Sequence, residues 1–446
     1  MSRVRPPLDG RATGPLIRSL GRYGLATAAP AAVSAAQFVM QMALLKAFDA
    51  ASFGLFAFML TLIQFGYGVS NALISTPYTV SANQKSVAGD DGSVFFSANL
   101  VFAVAWGLVC AGSAVALDQP STAPVFGLMG LLSMVRWFGR AHLYALHRPA
   151  GAAAADLVYS ASLLVLLGLA WFTDFSAIAA GLALCGALGC GLAAIGFDFL
   201  RRQLLAVSPR ALLPYRHVWR EQARWTIVGV ATTEATANAH SYLVTLFAGP
   251  AALAPIAAAS LFIKPVAMVV NSLTQLERPV MAREIGAGRY AEALETNRLF
   301  RLVVSATWAA TVAAALAVIC LEPGLVLKST YDPATILVAF AFWAVIGFMQ
   351  AWSMAGSILL QGAGLFRPLA LASARSAGVS LAAAVAFLAV LGPIYSLAGI
   401  VLGQAVMSLG IIRIEAEWRR QHIGRTARRP PEERAGLGAS QQACET

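Results

Sequence analysis

Six charged side chains lie away from the ends of stretches of this 446-residue chain that are otherwise apolar, and the carboxamide of Asn238 stands beside one of them. They are the residues whose type and placement could do chemistry. A charge at hydrocarbon depth costs several kcal/mol unless it is paired or hydrated, so such residues mark ion pairs or watery cavities. Arg136 and Arg140 stand four apart and so share one helical face. Lys264 and Arg375 occupy later stretches, Asp156 lies near the start of another, and Glu234 is accompanied by Thr232, Thr233, Asn238 and His240. Cations outnumber anions in this set, so not all of them can be mutually paired. An excess of positive charge in a cavity suits an anionic ligand such as a phosphate or pyrophosphate. Arg136, Arg140, Lys264 and Arg375 are therefore the candidates for a cationic binding cavity, and Glu234, Asn238 and Asp156 the candidates for coupling to H+ or Na+. Structural readings stand beside these. Arg140, near a helix end, could simply snorkel; Lys264 and Glu234 could pair between neighbouring helices; Arg375 could equally be paired.

Other chemistries find no support. No lysine follows a glycine anywhere, so there is no phosphate-binding loop for ATP. Gly186-Ala-Leu-Gly-Cys-Gly191 has dinucleotide spacing but sits in an apolar run with no preceding strand, where close helix packing explains the glycines better. Asp90-Asp91-Gly92 lacks further oxygen ligands at regular spacing and reads as a solvated turn. The five histidines are dispersed, and the five cysteines show no disulfide or zinc spacing. No metal and no cofactor is expected.

The elements that must position these residues are helices in lipid. Of the chain, 58% is hydrophobic and only 12% charged, with a mean hydropathy of +0.69. A spanning helix needs about 20 mainly apolar residues, and twelve such stretches fill the sequence: Tyr23–Leu45, Ser52–Ile74, Val94–Leu117, Pro124–Ala145, Ala152–Thr173, Ser176–Leu200, Gln222–Ala248, Ala252–Gln275, Leu299–Leu321, Pro333–Leu360, Leu369–Leu391 and Ile394–Ile414. A barrel would instead show short segments of alternating polarity. The fold class is thus an all-α integral membrane protein with about twelve transmembrane helices. The first stretch continues past Phe38 to Leu45, too long for a signal peptide core, and reads as a retained helix.

Arginine fixes the orientation. Arg3, Arg5, Arg11, Arg18 and Arg22 precede the first span, and Arg419, Arg420, Arg425, Arg428, Arg429 and Arg434 follow the last. The loop after the sixth span carries Arg201, Arg202, Arg210, Arg216 and Arg220, while the opposite loops hold little beyond Lys46 and Lys328. Both termini and the basic loops are therefore expected in the cytoplasm. This distribution accounts for the net charge of +11 through anionic headgroups, without nucleic acid.

The basic loop divides the chain into two sets of six spans: a cytoplasmic segment 1–22, a bundle 23–200, a linker 201–221, a second bundle 222–414 and a basic tail 415–446 that is partly disordered. Faint repetition supports a duplication. Val69-Ser-Asn71 through Pro77 parallels Val270-Asn271 through Pro279, and the turn Phe48–Phe56 resembles Phe247–Ala257. The stretch after Glu277 spaces acid and base as a surface helix would. Such repeats are common in transporters, with a site between the halves.

Across Arg18 to Arg420, the chain resembles the polysaccharide biosynthesis, O-antigen flippase-like branch of the multidrug/oligosaccharidyl-lipid/polysaccharide (MOP) exporter superfamily. The likeness rests on the twelve spans in two halves, Phe53-Gly-Leu-Phe-Ala57, Asn71 through Pro77 with its counterpart, and Val135-Arg-Trp-Phe-Gly-Arg140. It implies a bundle with a central cationic cavity and alternating access. It also implies translocation of a polyprenyl-pyrophosphate-linked oligosaccharide across a bacterial cytoplasmic membrane. The expected partners are that lipid-linked saccharide, membrane lipids, and polysaccharide polymerase and glycosyltransferases, with no nucleic acid. The alternatives are a multidrug/ion antiporter of the same superfamily, whose cationic substrates would favour excess acid, and a membrane-embedded polysaccharide assembly subunit. A membrane enzyme would need sizeable outer loops, which are lacking.

Overall fold

The computed structural model describes residues 13–84, 92–173, 175–205, 212–322, 324, 328 and 331–428. Among them there is no strand. The first half of the chain folds as α1 (Thr13–Ala47), α2 (Ala50–Ser70), α3 (Thr76–Gln84), α4 (Ser93–Ala116), α5 (Ala123–Ala145), α6 (Pro149–Trp171), α7 (Ala177–Ile195) and α8 (Phe197–Leu205). There follow α9 (Tyr215–Val218), α10 (Arg224–Ala237), α11 (Ala239–Ala248), α12 (Pro250–Gly286), α13 (Tyr290–Leu321), α14 (Pro333–Gly362), α15 (Phe366–Leu391) and α16 (Ser396–Arg428).

Nine helical stretches among the described residues are long and apolar enough to cross a membrane. The three remaining spans read from the sequence correspond to α1, α5 and the broken pair α10–α11. The hydropathy of α5 is diluted by Arg136 and Arg140, yet α5 buries Met129, Met134, Val135, Phe138 and Arg136 itself. Outward positions are apolar, with Leu108, Val165, Leu169 and Leu302 all exposed. Such a surface is stable only against lipid. The chain is a multi-pass α-helical membrane protein.

The chain forms two compact units: one of residues 1–231, 244–261 and 324–332, the other of 232–243, 262–323 and 333–446. The first has a core that includes Met40, Phe53, Phe56, Met59, Phe126 and Phe138. In it Gly54 of α2 approaches the start of α12 so closely that a Cβ would collide with the Pro250 carbonyl oxygen. The two lysines that the charge pattern placed apart from the basic loops meet here. Lys46 Nζ donates to the Gly324 carbonyl at 3.0 Å and Lys328 Nζ to the Ala47 carbonyl at 3.1 Å. The second unit packs Val266, Phe300, Ala355, Leu359, Ile411 and Trp418 together.

Several local expectations are revised. No separate surface helix follows Glu277: α12 runs on to Gly286 and α13 begins at Tyr290. The turn between them is tight, with Gly288 at φ +74, and Thr296 Oγ1 donates back to Glu284 Oε2 at 3.2 Å. The acids and bases there prolong two membrane helices instead of building a third. Pro255 and Pro265 both lie inside α12, which continues past them to Gly286. Helix α1 starts before Tyr23, and α16 continues through Arg425 to Arg428. Asp90, Asp91 and the tail from residue 429 lie outside the described residues.

Candidate functional site: a cationic cavity in the first unit

Helices α1, α2, α5, α6 and α7 enclose a cavity of about 250 Å³ lined by Gln37, Gln41, Gln64, Tyr67, Arg136, Trp137, Arg140 and Tyr159. The four-residue spacing on α5 places Arg136 and Arg140 on its face. Their anchor is Asp156 of α6. Arg136 Nη2 donates to Asp156 Oδ1 at 2.5 Å, and Arg140 Nη2 lies 3.0 Å from Oδ2, an ion contact less well aligned than a hydrogen bond. The side chain of Asp156 is only 1% exposed, those of Arg136 and Arg140 5% and 18%. One carboxylate thus holds two guanidiniums, and the cluster keeps one uncompensated positive charge.

Aromatic faces fix the arginines further. The Arg136 guanidinium lies 4.0 Å from the Tyr159 ring centroid and that of Arg140 5.3 Å from the Trp137 ring. Trp137 is itself stacked on Tyr67, centroids 4.5 Å apart. Gln37 Nε2 reaches the Tyr159 hydroxyl at 3.4 Å. The Nε atoms of both arginines are buried without a hydrogen-bond partner. A planar cation held in this way is pre-set to donate to a phosphate oxygen, because its rotamer freedom is already lost. Gly191 of α7 makes room for the arrangement: a Cβ there would stand 3.0 Å from Arg136 Nε and from Tyr159 Cβ. Gly186 is also close-packed, against Leu166, whereas Gly189 meets nothing within 4 Å.

Asp156, expected among the ion-coupling candidates, is occupied by the two arginines. Arg140 does not merely snorkel but shares that carboxylate. The remaining candidates belong to the second unit. Glu234 and Asn238 sit where the seventh span breaks into α10 and α11. The Glu234 carboxylate accepts Asn238 Nδ2 at 3.0 Å and the Tyr242 hydroxyl, stapling the break over two turns. Its partners are these two residues and not Lys264. Lys264 is half-buried in α12 and Arg375 is exposed on α15. A larger cavity of the second unit, about 400 Å³, takes Ile263, Val266, Thr233, Ser373 and Ser376 into its wall, but none of Glu234, Lys264 or Arg375. Asn71 and Asn271, matched in the sequence, differ in place: Asn71 opens a π-helical turn, Asn71–Ser75, and Asn271 lines that larger cavity.

Sequence reasoning missed a second cluster of the same kind. Glu415 of α16 is buried and accepts Arg301 Nη2 at 2.6 Å, Arg419 Nη2 at 2.5 Å and Asn297 Nδ2 at 3.4 Å. The Arg301 guanidinium lies 5.0 Å from the Trp352 ring. Among the described residues no group of His, Cys, Asp and Glu could hold a metal ion.

No family model matches the sequence, and no curated protein matches it either. Solved structures do. An inward-facing multidrug resistance MATE family transporter of the MOP superfamily has a TM-score of 0.67 at 14% identity, covering 86% of this chain and 95% of its own. The eukaryotic MATE transporter AtDTX14 has 0.57 at 15% identity, covering 92% and 99%. A MOP superfamily transporter from Pyrococcus furiosus, described as having a binding pocket of reverse polarity that suggests a different function, has 0.55 at 15% identity, covering 90% and 95%. At these identities the likeness establishes the fold: twelve transmembrane helices of the MATE type.

Proposed function

We propose that this chain is an alternating-access transporter that turns a polyprenyl-pyrophosphate-linked oligosaccharide across the bacterial cytoplasmic membrane, with both termini cytoplasmic. The reading goes beyond the fold, and one observation carries it. Two arginines face one cavity while sharing a single carboxylate, which leaves a net positive charge aimed at a space of phosphate size. A saccharide headgroup cannot enter hydrocarbon, because its hydroxyls and phosphates would lose their hydrogen bonds. A polar cavity replaces water for the headgroup while the polyprenyl tail stays in lipid. Exposure of the cavity to each side in turn then completes the transfer. Lys264 and Arg375 would add positive charge along the path, and Glu234 with Asn238 is the place for an ion to couple. The transporter would work beside a polysaccharide polymerase and glycosyltransferases. The fold-mate whose pocket is described as of reverse polarity supports the idea that pocket polarity can differ on this scaffold.

A second reading, a cation-coupled multidrug antiporter, draws on the half-buried carboxylate of Glu234 at a helix break. Deletion of the gene separates the two. Loss of surface polysaccharide, with lipid-linked repeat units accumulating inside, is the expected result. Normal polysaccharide with altered drug sensitivity would reverse the order.

A further inference from the structure

The larger cavity of the second unit differs in kind from the cationic one. It measures about 400 Å³, within the range of about 300–1,000 Å³ typical of small-molecule sites. No acidic, basic or histidine side chain lines it. Its wall is largely apolar, built from Val266, Val270, Met354 and Met407 among others.

The polar groups on that wall fall into two sets. The hydroxyls are mostly engaged within the protein. Ser376 Oγ donates to the Gly403 carbonyl at 2.8 Å, Thr236 Oγ1 to the Thr232 carbonyl at 2.9 Å, and Ser353 shares a hydrogen bond with Ser408 at 2.6 Å. The carboxamides are not engaged. Asn271 of α12, Gln350 of α14 and Gln404 of α16 reach the same cavity from three helices, and none of them has a hydrogen-bond partner among the described residues. Gln404 is 7% exposed. Asn271 and Gln350 are exposed at the mouth of the cavity, and the half of the pairing that the protein leaves open on all three amides is one that a bound ligand would answer.

We infer that this cavity is a second binding site, for an uncharged ligand that joins a polyhydroxylated ring to an apolar portion. Each carboxamide offers two N–H donors and a carbonyl acceptor. A sugar hydroxyl is donor and acceptor at once and matches that pairing without any charge. A phosphate would present acceptors only, leave the amide carbonyls unanswered, and bring a charge that nothing on this wall offsets. The methionine and valine wall covers the apolar portion, methionine adapting to irregular shapes. The site lies within the second unit and stands without the transport reading above.

The test uses the full chain held in amphipol, with n-hexyl β-D-glucoside as probe, methyl β-D-glucoside and 1-hexanol as its two halves, and hexyl phosphate as its charged counterpart, followed by calorimetry. Hexyl glucoside should bind saturably, with each half and the phosphate at least about tenfold weaker, the factor that one unanswered buried polar group commands. Gln404→Leu and, at the more exposed mouth, Gln350→Leu should each weaken hexyl glucoside about tenfold while leaving hexanol unchanged. Should Gln404→Leu fail to fold, Gln350→Leu carries the test alone. Equal binding of hexanol and hexyl glucoside, tighter binding of hexyl phosphate, or wild-type affinity in the folded variants would each overturn the inference. Failure of the deletion strain to lose polysaccharide would count against the transport reading and leave this result standing.

Discussion

Gly191 of α7 faces Arg136 of α5 at a distance that leaves no room for a methyl group: a Cβ on Gly191 would stand 3.0 Å from Arg136 Nε and 3.3 Å from its Cδ. The glycine thereby sets how deep the guanidinium can sit against Tyr159. Gly191→Ala should displace Arg136 or push α7 outward, an overpacking cost of about 1–3 kcal/mol. Complementation of polysaccharide export should fall several-fold. Gly189→Ala, where nothing lies within 4 Å, should be indistinguishable from the wild type in melting temperature and complementation. Equal behaviour of the two variants would sink the claim that Gly191 positions the arginine.

The shared carboxylate makes the two arginines unequal to their anchor under mutation. Arg136→Gln leaves Asp156 with Arg140, so the pair stays balanced and the protein should accumulate normally. The cavity, however, loses its net charge, and complementation should be lost. Asp156→Asn leaves two guanidiniums with no anion, and breaking a buried pair in this way costs about 3–5 kcal/mol. Its melting temperature should therefore drop further than that of Arg136→Gln. The double variant Arg136→Gln/Asp156→Asn strands only one guanidinium, that of Arg140, instead of two, and should therefore regain part of the stability that Asp156→Asn loses. Complementation by Arg136→Gln would reject the cationic cavity as the binding site.

How much of this was legible in the sequence depends on the cost of each residue. Arg136, Arg140 and Asp156 stood out because charges are rare in apolar runs and two of them share a helical face. Gln37, Gln41, Tyr67 and Tyr159 complete the same cavity, but neutral polar residues are cheap enough in membrane helices to raise no alarm. Arg301 and Glu415 escaped notice for a different reason. Each lies within two residues of the end of its apolar stretch, where a charge reads as a loop residue, and only the packing of α13 on α16 brings them together. The helical architecture followed from hydropathy alone. The break at Asn238 and the unbroken passage of α12 through two prolines did not, because local propensity is overruled by how neighbouring helices satisfy the backbone.

Glu234 offers a test of coupling. Its carboxylate accepts Asn238 and Tyr242 across the helix break, and the carbonyl oxygen of a glutamine can accept the same two bonds. Glu234→Gln should therefore keep the wild-type melting temperature. If an ion passes here, export driven by an imposed H+ or Na+ gradient should be lost, since an intramembrane carboxylate on an ion path would be gone. Gradient-driven transport at the wild-type rate in that variant would remove Glu234 from the coupling mechanism.

The cluster around Glu415 predicts an order of stabilities rather than a loss of export. Arg301 and Glu415 are 15% and 5% exposed at the side chain, whereas Arg419 is 45% exposed. Glu415→Ala strands a buried guanidinium and the Asn297 amide together, and should cost about 3–5 kcal/mol. Arg301→Ala leaves the carboxylate with Arg419 as its remaining cation and should cost less. Arg419→Ala removes a partly solvated pair four residues along one helix, a contribution of only about 0.3–0.5 kcal/mol. Melting temperatures in detergent should fall in that order, and the shift for Arg419→Ala should shrink in high salt, since screening acts on exposed charges and much less on buried ones. An Arg419→Ala shift as large as that of Glu415→Ala would mean that the exposed arginine, and not the buried one, holds α16 in place.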